Sequence, residues 1–297
     1  MVDRNDVVGR TGMGAVMGGK GLRAVVVRAA KNQKVAFASP EGIKRLAALG
    51  AERMKTADFP KILRDHGTPG IVAIQSGAGN MASFNYTTGW HPENKNLDGR
   101  NYDDTLGAGK ASCYGCVIGC RKRIKVDAPH PVSDKLGGPE FETLSTLGTN
   151  LDLTEITAVA KANELCNEYG LDTITMGGLA AYVFESMKNG SLSPEKTDGR
   201  TLGFGKPEDL FWLIEETARR NGVGDVLAEG FQAAIAYFGA ETAPYALHCK
   251  GQGLPAHMAQ LKPSQALMYA AVPIGGDHMS SEHDWLAEGG DLLRGLG

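Results

Sequence analysis

The stretch Asn163-Glu164-Leu165-Cys166-Asn167-Glu168-Tyr169-Gly170-Leu171-Asp172-Thr173 decides the architecture. Leading into it, Ile156, Val159, Leu165 and Tyr169 give a helix an apolar face. Gly170 stands where a helix closes through a left-handed residue just past its end. Asp172 stands where the next helix takes its N-cap. The spacing therefore predicts a helix ending at Tyr169, a sharp turn, and a second helix over about 173–188. Asp152-x-x-Glu155 has the form of a capping box for the first helix. Beyond the turn, apolar residues at three- to four-residue intervals predict helices over 207–221 and about 225–238. Helix follows helix with short glycine connections, so 140–240 reads as a bundle-like α core and not as a βαβ repeat. Cys166, on the first helix, reads as a small buried hydrophobe.

Upstream, Cys113-Tyr114-Gly115-Cys116-Val117-Ile118-Gly119-Cys120 gathers three of the five cysteines into one C-x2-C-x3-C run. Thiolates this closely spaced suit a soft metal or an iron–sulfur cluster. A [4Fe–4S] cluster takes four protein ligands, and the run supplies three. Zinc is the rival, although a structural zinc site pairs two knuckles and no second knuckle is visible. Arg121-Lys122-Arg123 follows, either offsetting an anionic cluster or lying solvated.

Near the start, the run from Gly9 to Gly21 is glycine-rich, with Arg10 and Lys20 adding charge. Its backbone N–H groups either approach a phosphate or form a plain turn and helix start. The spacing Gly12-x-Gly14-x3-Gly18 is neither a dinucleotide fingerprint nor a Walker A loop. Leu22–Arg28 and Val35–Ala38 read as strands. Ser39 and Pro40 then start a helix with Ile43, Leu46, Ala47 and Ala51 on one face. A short helix over about 59–65 ends near Gly67, and 77–99 reads as a long ordered loop in which His91 is a hydrogen bonder.

Two carboxylates, Glu140 and Glu142, precede an apolar stretch. They read either as acid/base groups or as partners of a helix N-terminus. Four of the seven histidines lie between 248 and 283. Gly275-Gly276-Asp277-His278 and Ser280-Ser281-Glu282-His283-Asp284 form a polar constellation suited to proton chemistry or to a hydrogen-bonded surface loop.

Composition excludes several classes. The net charge of −3 gives no electrostatic case for nucleic acid. No run of 18 apolar residues suggests a transmembrane helix, and the start lacks a signal-peptide core. Five cysteines, three of them clustered, favour a reducing compartment such as the cytoplasm over a disulfide framework. The 297 residues suffice for two domains at about 150 residues each. Both ends are abrupt, as expected of a piece of a longer protein.

Four motifs in this order carry a resemblance. They are Gly9-Arg10-Thr11-Gly12-Met13-Gly14-Ala15-Val16-Met17-Gly18, the cysteine run, Gly138-Pro139-Glu140-Phe141-Glu142-Thr143, and Ala162–Asn167 with Gly170-Leu171-Asp172-Thr173. Together they resemble the aldehyde:ferredoxin oxidoreductase family over essentially the whole chain. The resemblance implies a mainly α fold, with helical domains over 39–297 and a short β-containing remnant of a pterin-binding domain over 1–38. It implies tungsten or molybdenum on two molybdopterin-type ligands, magnesium bridging their phosphates, and a neighbouring [4Fe–4S] cluster.

Residue by residue, Arg10, Thr11, Gly12 and Gly14 match the loop that meets pterin phosphates. Asn167, Gly170, Leu171 and Asp172 match the first pterin turn, with Asn167 in place of the usual Asp. Cys113, Cys116 and Cys120 match three cluster ligands, the fourth being expected beyond residue 297. Glu140 and His278 match the carboxylate and histidine near the metal. The implied activity is aldehyde or oxo-group oxidoreduction on a small molecule, with a ferredoxin-type electron carrier as partner and a homo-oligomer allowed. Leu254-Pro255-Ala256-His257-Met258 departs from the family pattern and points to a substrate other than a simple aldehyde. Class II benzoyl-coenzyme A reductase shows that the scaffold serves other reductions, including that of an aromatic acyl-CoA. A truncated, inactive product and a zinc-stabilised helical module are the remaining alternatives.

Overall fold

In the computed structural model, residues 2–3, 6–7, 9–30, 35–107, 109–280 and 283–284 are described. Ser281 and Glu282 of the polar constellation, and everything from 285 onward, lie outside the described residues.

The turn at 170–172 forms as its chemistry requires. Helix α7 (Ile156–Tyr169) closes at Gly170 with φ 73°. Helix α8 (Thr173–Lys188) opens with the Asp172 carboxylate accepting from the backbone N–H groups of Ile174 (3.3 Å) and Thr175 (3.1 Å). In front of these lie α1 (Met13–Gly19), α2 (Pro40–Thr56), α3 (Asp58–His66), α4 (Val72–Gly77), α5 (Gly99–Leu106) and the single turn α6 (Phe141–Thr143). Behind them come α9 (Pro207–Arg219), α10 (Val223–Ala228), α11 (Phe231–Phe238) and α12 (Pro263–Ala271). Strands are minor among the described residues. They form three antiparallel pairs: β1 (Val2–Asp3) with β2 (Asp6–Val7), β3 (Gly109–Ala111) with β4 (Arg121–Arg123), and β5 (His248–Cys249) with β6 (Gln252–Gly253). The fold is mainly α, as expected, and no described helix is long and apolar enough to cross a membrane.

Helix α8 is the centre of the core. Its residues from Ile174 to Phe184 are buried on nearly all sides, except Thr175. It packs against α7, α9, α6 and β6. A helix apolar all round shows no amphipathic stripe, so periodicity could not reveal its central position. Leu144, Leu147, Val159, Leu179, Phe184 and Leu213 are among the side chains that close the core. Each large one buried contributes about 1.5–3 kcal/mol of hydrophobic stabilisation. Directly after α6, Leu144–Gly148 is wound as a π-helix, an irregularity frequent at functional sites.

Several expectations are corrected. Leu22–Arg28 and Val35–Ala38 belong to no strand, and Val25, Val26 and Val27 are exposed. A β-branched run has strand propensity, but a strand needs a hydrogen-bonding neighbour, which these residues do not meet among the described ones. The capping box does not form. Asp152 takes a left-handed conformation (φ 59°) and its carboxylate accepts from His91 Nε2 at 2.9 Å. Glu155 stands at the N-cap instead; its side chain accepts no backbone N–H of the helix and takes the Thr157 hydroxyl at 2.8 Å. The single helix expected over 225–238 is two, because Gly230 adopts φ 87° between α10 and α11. Tyr169 is exposed, as are Ile43 and Leu46 on the face expected to be buried. The Ser39 cap is as read, its hydroxyl accepting from Gly42 N–H at 3.1 Å.

A tight crossing brings α8 onto the π-helical segment at Gly177. A Cβ there would lie 2.3 Å from the Thr146 carbonyl oxygen, and backbone cannot yield as a side-chain tip can. Gly177→Ala is expected to destabilise the fold by about 2–3 kcal/mol. Gly203→Ala, where a Cβ meets nothing within 4 Å, is expected to stay within about 0.5 kcal/mol. Chemical unfolding of the two variants side by side checks this.

Candidate active site

The site is built around Arg10, whose side chain is 12% exposed. Its Nε donates to Asp172 Oδ2 (3.1 Å), Nη1 to the Gly276 carbonyl (2.6 Å), and Nη2 to the Gly253 carbonyl (2.6 Å) and Thr175 Oγ1 (3.4 Å). One guanidinium thus fastens the N-terminal glycine loop to the start of α8, to β6 and to the loop before His278. Asp172 serves two structures at once, because the carboxylate that caps α8 is also the counter-ion of Arg10. The sequence reading gave Arg10 a phosphate. In the structure most of its donors are committed to protein acceptors, so approach to an anion falls to the backbone beside it. Thr11 and Gly12 both have positive φ, 83° and 74°, at the start of α1. No side chain caps that helix, which leaves its first N–H groups open to the cavity side.

A cavity of about 640 Å³ lies between this loop and the 170–172 turn. Arg10, Thr11, Gly12 and Gly14 line one side, and Asn167, Gly170, Leu171 and Asp172 the other. All eight residues assigned to cofactor binding from sequence therefore face one space, although about 160 positions separate the two groups. Lys20 is exposed and does not line this cavity.

A second cavity of about 500 Å³ adjoins it, sharing Arg10, Thr11, Asn167 and Thr173. Glu140 and His278 both line it, but on different neighbours. Glu140 accepts from Thr68 Oγ1, and burial pushes its carboxyl upward. Its charge also acts on Cys120. His278 instead faces Glu142, with Nε2 3.7 Å from Oε1. The other Glu142 oxygen accepts from Ala256 N–H at 2.7 Å. His257 Nε2 lies 3.3 Å from the same Oε1. Oε1 is buried with no aligned hydrogen bond, and so is His278 Nδ1. The carboxylate paired with His278 is therefore Glu142 and not Glu140. Two residues apart at a helix start differ by about 200° in direction, so one sequence motif sends its two carboxylates to different ends of the cavity. His257 was read only as a departure from a pattern. Its membership of the site has no sequence signal beyond the clustering of histidines.

The cysteine run occupies the loop between β3 and β4. Cys113 and Cys116 are exposed and Cys120 is half-buried. Backbone N–H groups of Gly119 and Ile118 bond to Cys116 and draw its thiol below the usual value, the environment of a thiolate. Burial pushes Cys120 up. Among the described residues no three His, Cys, Asp or Glu side chains are already assembled as a metal site. Neither remaining cysteine is poised to join the run. Cys166 is buried in the core, and Cys249 Sγ donates to the Tyr269 carbonyl at 2.9 Å. The basic run beside the cysteines is not simply solvated. Lys122 is buried, donating to Asp103 Oδ1 (2.9 Å) and the Asp65 carbonyl (2.6 Å), while Arg121 lines the second cavity.

Comparison with known proteins bears on these features. Residues 45–293 match the family described as aldehyde ferredoxin oxidoreductase, domains 2 and 3. The tungsten-containing aldehyde ferredoxin oxidoreductase of Pyrococcus furiosus is 31% identical over 95% of this chain and 46% of its own length. That of Pyrococcus horikoshii is 32% identical over 91% of this chain and 44% of its own. An aliphatic sulfonate oxidoreductase, WOR-like subunit, of Pyrococcus furiosus is 27% identical over 92% of this chain. The chain thus spans about half the length of the curated relatives it matches. In three dimensions it resembles the active site complex BamBC of benzoyl coenzyme A reductase, with a TM-score of 0.68 and 24% identity, over 89% of this chain and 41% of the other. That likeness speaks for the fold.

Two outcomes follow from the geometry. Arg10→Met strands Asp172 and two carbonyls, and is expected to cost about 3 kcal/mol and to raise amide exchange at 253 and 276 selectively. The second concerns acid. Burial, then the Lys262 charge, hold His257 down to about 2 and His283 to about 4. The unfolded chain binds protons on both below about pH 6.5, whereas the folded chain does not until those lower values. Stability contributed by the neutral histidines is therefore complete above pH 6.5 and is lost as pH falls towards 4. Unfolding titrations should show a slope shallower by up to about 1.4 kcal/mol per pH unit in His257→Gln.

Proposed function

The chain belongs to the aldehyde ferredoxin oxidoreductase family, and from that premise we propose that it forms the cofactor cradle and proton-transfer site of a tungsten-pterin oxidoreductase acting on an aldehyde or related oxo group, the 254–258 departure bearing on which one. The observation that carries this reading is the convergence of the glycine loop and the 170–172 turn on one 640 Å³ cavity, with the Glu142–His278 pair on the cavity beside it.

The residues present fit the cofactor. A loop without side-chain bulk at Gly12 and Gly14 admits a phosphate-bearing group, and Thr11 and Gly12 both take positive φ there. Thr11, Gly12 and Gly14 would hold the phosphates and their magnesium, with Arg10 fixing the loop. Asn167, Gly170, Leu171 and Asp172 would hold a pterin edge. Cys113, Cys116 and Cys120 would supply three ligands to a [4Fe–4S] cluster passing electrons to a ferredoxin-type acceptor. When bound, the tungsten-pterin supplies two-electron redox chemistry.

The chain's own part is positioning and proton movement. Conversion of an aldehyde and water to a carboxylate releases two electrons and three protons. Glu142 Oε1, buried and without an aligned donor, is placed to accept a proton from water or substrate in the second cavity. His278 Nε2, on that same oxygen, passes it onward. Ala256 N–H holds the other oxygen and keeps the carboxylate from turning away. Glu140 holds the Thr68 hydroxyl, beside Gly67 which packs closely on the Cys120 carbonyl, and its role is to support the cysteine loop through that contact.

Anaerobically purified full-length protein should contain tungsten and iron and reduce a viologen dye with an aldehyde. Finding neither metal overturns the reading. Glu142→Gln should lower kcat at least about 100-fold with metal content unchanged, whereas Glu140→Gln should spare kcat and lower iron content. The reverse pattern would return the acid/base role to Glu140.

A further inference from the structure

Behind Glu142 stands a second layer that the proposed reaction does not use. His257 is 4% exposed and lies between Glu142 and Asn80. Asn80 is oriented by its own bonds. Its Oδ1 accepts from Met258 N–H (2.8 Å), so its amide nitrogen is the face turned to Gln75 Oε1 (2.5 Å) and His257 Nδ1 (3.0 Å). An amide nitrogen can only donate. His257 Nδ1 must therefore be the acceptor, and the ring proton sits on Nε2, the atom 3.3 Å from Glu142 Oε1.

We propose that His257 is a positioning residue for Glu142: Asn80 fixes its tautomer so that a neutral Nε2–H stands 3.3 Å from the same carboxylate oxygen that His278 faces, close beside it but off the line of a hydrogen bond. The proposal rests on the reading of Glu142 and His278 as the proton-transfer pair. Three features beyond the Asn80 bond support it. The His283 ring packs edge-on against His257 with centroids 4.8 Å apart, which stops the imidazole from flipping. Lys262 Nζ lies 3.1 Å from His283 Nδ1. A cation there and the burial of the ring both disfavour an imidazolium at 257. The charged and titratable groups around the pair are Arg10, Asp277 and His278 on the cavity side, Lys262, His283 and Asp284 behind, and Tyr86 and Tyr269 alongside. Burial, followed by the Glu142 charge, pushes both phenols up, so neither is an anion competing for the His257 proton.

A neutral donor suits this place better than a cation. An imidazolium at 257 would form a tight ion pair with Glu142 and quench it as a base. A neutral N–H orients the carboxylate and leaves it free to take a proton.

The test uses full-length protein labelled with 15N-histidine. Nitrogen spectra should show His257 protonated on Nε2 and unprotonated on Nδ1, without change from pH 5 to 9. A proton on Nδ1, or an imidazolium at pH 7, overturns the proposal. Asn80→Asp replaces the donor by an acceptor and should move the proton to Nδ1; an unmoved tautomer in a folded variant also overturns it. In protein with aldehyde-oxidising activity, His257→Phe should shift the acid limb of the kcat/KM profile by about one pH unit, and His257→Gln, which retains an N–H donor, should restore it. A shift that Gln does not rescue assigns His257 to packing alone. The spectra need no turnover, so a failure of the aldehyde reading and a failure of this proposal are told apart.

Discussion

The Asp172 carboxylate carries more of this structure than any other single group. It supplies the first donors of α8 with an acceptor, and it holds Arg10 at 3.1 Å. Without it the most buried helix of the core would start with unsatisfied N–H groups. The glycine loop would also lose the charge that binds it there. Because Arg10 also reaches the carbonyls of Gly253 and Gly276, three distant parts of the chain meet at one guanidinium. A planar donor fork with five N–H groups can do this where a lysine could not. The cavity on either side of Arg10 is a consequence of that clamp.

The second constraint is the wall behind Glu142. His257 and His278 lie on one carboxylate oxygen and His283 packs against His257; burial is the main influence that keeps 257 and 283 neutral. Crowded imidazoles cannot all be charged in a medium that solvates charge poorly. The arrangement therefore separates roles by depth. His278 meets the cavity, His257 stands behind the carboxylate, and His283 backs His257. The same separation divides Glu140 from Glu142. One turns to Thr68 beside the cysteine hairpin and the other to the histidines, so a single helix start serves both ends of the cavity.

The cysteine hairpin stands apart from the core in character. Its two leading thiols are exposed, while its base is anchored by buried Lys122 against Asp103 and the Asp65 carbonyl.

Much of this was legible in the residues themselves. The turn at 170–172, the Ser39 cap, the mainly helical class and the cysteine spacing are local, and local chemistry determines them: a left-handed glycine, a capping oxygen, a helical repeat. Family likeness named eight residues that prove to be among those lining one cavity. What failed was non-local. The valine run at 25–27 has strand propensity without a partner, and Asp152 was taken by His91 before it could cap α7. Which of Glu140 and Glu142 meets His278 depends on the rotation of a helix start set by packing. The tautomer of His257 depends on Asn80, 177 positions away. The sequence by itself determined which residues could end a helix, bind a thiophilic metal or carry a proton. Only the tertiary structure decided which of them face one another, because burial and hydrogen-bond direction depend on neighbours that a linear pattern does not contain.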